Sequence, residues 1–155
     1  MKKFLIYFGL LAAAVFMECA PNPGVDAAKL KPVELLRVRT APGAVLAETE
    51  TGDFGVGANL ESALLDLKKS TSGVLFLETV DYVILPENIG RLPSQLLKHL
   101  RPGCGVCVCE DKLDLEAAAE YLNVHRPRVT LNDCRAMPVK LPVLQQREGR
   151  LYLAK

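Results

Sequence analysis

Cysteine is the residue type whose spacing offers the clearest chemistry in this sequence. Cys19 stands near the N-terminus, the cluster Cys104-x-x-Cys107-x-Cys109 lies two-thirds of the way along, and Cys134 follows. Thiolates hold zinc tetrahedrally, pair as disulfides in oxidising compartments, or act as nucleophiles when a neighbour lowers their pKa. With Cys19 set aside an even number remains, and three readings stay open. The cysteines could be small apolar residues of a buried strand. They could form one or two disulfides that draw in Cys134. Cys104, Cys107, Cys109 and Cys134 could instead hold a Zn²⁺ ion. Strand periodicity puts Cys107 and Cys109 on one face and Val106 and Val108 on the other. That alternation, with no second CxxC, favours the core reading. A redox CxxC opens a helix, whereas Cys104-Gly105-Val106-Cys107 leads from a glycine turn into apolar residues.

The remaining polar groups match no catalytic template, and no catalytic residue is expected. His99 stands between Lys98 and Arg101 near a helix end, and His125 follows a helix in Val124-His125-Arg126-Pro127. Both read as structural or solvent-facing. A hydrolase would have to pair His125 with Asp133, a spacing that fits no known arrangement. Ser94 lacks the G-x-S-x-G elbow. Gly52, Gly55 and Gly57 lack the G-x-G-x-x-G spacing and the Lys-Ser/Thr ending of a phosphate loop. Asp111, Asp114 and Glu116 read as acids of a first helical turn.

Composition narrows the partners. The chain has 155 residues, 50% of them apolar, with 19 Lys and Arg against 18 Asp and Glu, for a net charge of +1. That length suits one domain with a sizeable core. No basic block of the kind a mainly electrostatic nucleic-acid binder needs is present, so nucleic acid is not an expected partner.

The N-terminus reads as an export signal. Lys2 and Lys3 precede the uncharged run Phe4–Met17, which is short against the ~20 residues of a spanning helix but matches a secretory h-region. Residues 1–27 are therefore expected to be a signal peptide or membrane segment, and residues 28–155 the folded domain. Val25-Asp26-Ala27 permits cleavage before Ala28. Cys19 is placed for lipidation, although Phe16-Met17-Glu18 is a poor lipobox; retention as an uncleaved anchor is the third route. A buried N-terminal helix is the alternative to export. The expected location is the extracytoplasmic face of a membrane or the exterior.

The elements that must carry these residues follow from periodicity. Residues 20–32 hold three prolines and read as a flexible tether. Val33–Arg39 and Ala44–Thr51 flank Ala41-Pro42-Gly43 as a hairpin, and Gly52–Ala58 reads as a loop. Asn59 caps a helix whose apolar positions are Leu60, Ala63, Leu64 and Leu67. Val74–Leu77 and Asp81–Leu85 read as buried strands, Pro93–Leu100 as a second helix and Cys104–Cys109 as a strand. Leu113–Leu122 is a third helix, and Thr130–Arg135 a short turn capped by Thr130. Val139–Gln145 and Arg150–Ala154 form a closing hairpin. The expected fold is α/β: one sandwich-like domain with a mixed sheet and about three helices.

The same order carries a resemblance. Glu61-Ser62-Ala63 on a helix, the Leu75-Phe76 segment, the strand Tyr82–Leu85 and then Glu87 resemble the N-terminal domain of the Ger(x)C spore germination lipoproteins, the C subunits of nutrient germinant receptors. Arg101–Cys109 resembles the family's later strand, Leu113–Leu122 the helix after it, and Leu141-Pro142-Val143-Leu144 with Arg150–Leu153 its proline-marked hairpin. The resemblance spans residues 30–155. The chain departs from the family where Thr79 or Glu78 replaces a His and Pro86 a Gly. It implies a divergent, truncated relative without the family's two following domains: a non-enzymatic protein at the membrane surface, in contact with membrane protein subunits. If the cysteines carried the function instead, the protein would bind zinc or perform thiol chemistry outside the cytoplasm.

Overall fold

Tyr82-Val83-Ile84-Leu85 is apolar at every position, a pattern that suits a strand buried on both faces. In the computed structural model it is such a strand, and all four residues are buried. The described residues are 29–109, 112–136, 139–147 and 149–154. Residues 1–27, expected to be a signal peptide or membrane segment, lie outside them, as do Cys19 and Asp111.

The elements in chain order are β1 (Leu30–Pro32), β2 (Leu35–Ala41), β3 (Ala44–Thr49), β4 (Phe54–Gly57), α1 (Leu60–Ser70), β5 (Val74–Phe76) and β6 (Tyr82–Leu85). After them come α2 (Leu92–Leu96), β7 (Gly105–Val108), α3 (Leu115–Val124), α4 (Asp133–Ala136), β8 (Val143–Arg147) and β9 (Arg150–Ala154). Seven strands form one mixed sheet in the order β4-β3-β2-β6-β7-β8-β9. Its centre, β2-β6-β7-β8, is parallel, and its flanks are antiparallel hairpins. This is the mixed α/β domain that the periodicity predicts, with four α-helices among the described residues where about three were expected.

Each element has a local cause. The β2–β3 turn passes through Pro42-Gly43, where Gly43 takes φ 75°. Asn59 and Ser62 cap α1 reciprocally. The Ser62 N–H donates to Asn59 Oδ1 at 2.9 Å, and the Asn59 N–H donates to Ser62 Oγ at 3.1 Å. The helix then buries Leu60, Ala63, Leu64 and Leu67, as their spacing predicts. Asp114 caps α3 by accepting from the Glu116 and Ala117 N–H groups.

Three expectations change. Residues 54–57 are not loop but the edge strand β4, because Gly55 and Gly57 let α1 lie directly on the strand. A Cβ at Gly55 would strike the backbone of Leu67 and Ala63, and one at Gly57 would strike Ser62 and the Ala63 nitrogen. Leu30–Pro32 is not tether but a short strand, paired in parallel with β5. The second helix closes at Leu96, and turns continue from it to the buried Leu100 ahead of Arg101-Pro102-Gly103.

The sheet separates two cores. On one face α1, α2 and the segment around α4 cover Leu36, Val38, Ala47, Val83, Leu85 and Val106. On the other, α3 covers Leu35, Tyr82, Ile84, Cys107, Cys109 and Leu144 with Ala118, Ala119 and Leu122. Ala118, Ala119 and Leu122 are the residues of α3 buried on this face. Arg37, opposite Glu48 in the hairpin register, is buried among them.

Candidate functional site

The strand β7 distributes the cysteines. Cys107 and Cys109 face α3, as the alternation predicts, whereas Cys104 and Cys134 pack in the core on the opposite face. No disulfide joins the described cysteines, and no group of three or more His, Cys, Asp or Glu side chains among the described residues could hold a metal. The four-thiol zinc set is therefore not assembled. A sheet one strand thick cannot let side chains on its two faces share one ion.

Burial also sets the reactivity of these thiols. It pushes Cys107 up to about 12, with Cys109 beside it adding to the effect. It raises Cys104 and Cys134 as well. The Cys104 thiol donates to the Val80 carbonyl at 2.9 Å. Raised in this way, Cys104, Cys107 and Cys134 stay protonated at neutral pH, the state that does not attack as a nucleophile. They serve the core.

The other candidates serve structure too. Ser94 Oγ donates to the Arg91 carbonyl within its own helical turn. Asp133 Oδ2 accepts from the Thr130 N–H at 2.8 Å and from its hydroxyl at 2.7 Å, and these bonds hold its carboxyl below the usual carboxylate range. The ring of His125 lies on Tyr121, with centroids 4.5 Å apart. The His125–Asp133 pair thus has each member engaged elsewhere. His99 is half-buried beside the end of α2.

What periodicity did not reveal is a cleft at the C-terminal end of α3. It has a volume of about 590 Å³. Val124, Val129, Pro142 and Leu153 give it apolar walls, and Tyr121, His125, Arg126, Arg128 and Lys140 complete the lining. The fold builds it in three steps. Helix α3 ends at His125, whose N–H bonds to the Tyr121 carbonyl. The chain then passes through buried Pro127 and is held along β7, where the Val106 N–H donates to the Val129 carbonyl and Thr130 bridges Gly105. Gly105 permits this approach, since a Cβ there would lie 3.3 Å from both the Pro127 ring and the Tyr82 ring. Finally, the Leu153 N–H donates to the Tyr121 hydroxyl at 3.1 Å, which fastens β9 to α3.

Arg126 and Arg128 straddle Pro127, and the segment leading into β8 brings in Lys140 from the other side. No acidic side chain stands among the described lining residues, and Arg126, Arg128 and Lys140 form no salt bridge among the described residues. Arg126 also reaches the Tyr82 phenol. Burial pushes that phenol up, Arg126 pulls it down, and Asp81 and Glu34 push it up again, leaving it raised. The one sequence signal for this site is the pair of arginines around a proline just after a helix. Lys140 carries none.

No family model, curated protein or solved structure matches this chain.

Proposed function

We propose that this protein is a non-enzymatic envelope component whose N-terminal segment takes it to or across a membrane, where the α/β domain works through protein contacts. The observation that carries this reading is the N-terminal pattern, with Lys2-Lys3, the uncharged run Phe4–Met17 and a proline-marked stretch before the domain. Among the described residues no helix is long and apolar enough to cross a membrane. Cleavage before Ala28, lipidation of Cys19 and retention as an anchor all deliver the domain to the same side.

The state of the domain's polar groups supports a contact function. Burial raises the Cys104, Cys107 and Cys134 thiols, Asn59, Ser62 and Asp114 cap helices, and Asp53 and Asp81 pair with Lys31 and Arg101. The resemblance to the Ger(x)C N-terminal domain narrows the setting to sporulation or germination, with membrane protein subunits as the partners. Deletion in the native host tests this. Normal heat-resistant spore yield with slow dipicolinate release after nutrients is the expected result for germinant reception; low yield moves the protein to spore assembly. Unchanged yield and release contradict the reading.

A further inference from the structure

We infer that the cleft at the end of α3 binds a small organic anion, a carboxylate or phosphate ester with an apolar body. Arg126, Arg128 and Lys140 would hold the charged group, and Val124, Val129, Pro142 and Leu153 would cover the rest. This goes beyond the envelope reading and does not depend on it.

Volume, charge and shape agree on this class. A space of about 590 Å³ falls within the range of small-molecule pockets and exceeds what a bare inorganic ion fills. Three cationic residues line it while the whole chain carries only +1. Helix α3 points its carbonyl end here, which amounts to roughly half a negative charge and fades within the last turn. The three formal charges outweigh it. The two acids nearest Tyr82 are engaged elsewhere. Asp81 pairs with Arg101, and Glu34 accepts from Asn123 at 3.1 Å. Guanidinium groups suit carboxylate and phosphate alike, because both present two oxygens to the planar fork. The apolar walls distinguish an organic anion from a free ion.

Calorimetric titration of the full chain in a non-ionic detergent tests the assignment, with phenyl phosphate and benzoate as probes. Inorganic phosphate and the uncharged benzyl alcohol are the comparisons. At least one of the two organic anions should bind at one per chain, more weakly as salt rises, and better than either comparison. The stronger of the two identifies the charged group. Arg128→Ala combined with Lys140→Ala should lower that affinity roughly a hundredfold, about tenfold for each charge-assisted hydrogen bond removed. Arg128 and Lys140 are both exposed, so an unchanged melting temperature shows that the fold is intact. Absence of binding by both organic anions at millimolar concentration overturns the inference. So does equal binding of benzyl alcohol or inorganic phosphate, or full affinity in the double variant.

Discussion

At one edge of the sheet α1 lies backbone against backbone on β4. At the other, α3 meets β8 and β9 through side chains. The first contact needs glycine at 55 and 57, because any Cβ there would occupy the volume of the helix. The second is spaced by Tyr121, whose hydroxyl reaches the Leu153 N–H, and by the loop through Pro127. Close approach leaves no room for a ligand. Spacing by large side chains leaves the cleft. One sheet thus supports a closed end that sustains the fold and an open end that can recognise something.

Four changes separate the two ends. The largest effect belongs to Gly55→Ala, which forces α1 off β4 and should cost about 3 kcal/mol, the upper range for overpacking a tight site. Urea denaturation measures it, and a loss below about 1 kcal/mol would mean that the helix moves away easily. Next is Tyr121→Phe, which leaves the Leu153 N–H without its acceptor and should cost about 1 kcal/mol. Amide exchange should then quicken along β9 and stay unchanged in α1.

Acid acts on the closed end. Burial pushes the Asp53 carboxyl up, but bonds from Lys31, at 2.6 Å, and from Thr51 outweigh it and hold it below the usual range. A carboxyl lowered by folding stabilises the protein above its unfolded pKa of about 3.9 and loses that contribution as pH falls through the folded value. Asp53→Asn should therefore flatten the decline of melting temperature below about pH 4. A decline as steep as in the parent would show that this ion pair adds nothing to acid stability. The smallest stability effect is expected of Arg128→Ala with Lys140→Ala, within about 0.5 kcal/mol of the parent by the same denaturation assay, as for surface residues generally. A larger loss would make the cationic end structural.

Much of the closed end was legible in the sequence. The period of Leu60, Ala63, Leu64 and Leu67 and the cap at Asn59 specify α1, and Pro42-Gly43 specifies the hairpin. Strand β4 was not, because glycine reads as a loop former until a helix is known to lie on it. Leu30–Pro32 hid among prolines, and its partner β5 is 44 positions away in register. Alternation correctly put Cys107 and Cys109 on one face. It could not place Cys134, whose position depends on how the loop before α4 returns along β7. The cleft was the least legible part. Its arginines and Lys140 share no local pattern and meet because Thr130 bridges Gly105 and Val108 pairs with Val143.

The central claim is that the domain works at a membrane, outside the cytoplasm, through a surface rather than a reactive centre. Fractionation of the native host with protease treatment of intact cells tests it most directly, followed by mass determination of the recovered N-terminus. The expected result is a protease-accessible domain that begins at Ala28, begins at a lipid-modified Cys19, or retains residues 1–27 in the membrane fraction. A protease-protected, full-length chain in the soluble cytoplasmic fraction would contradict it.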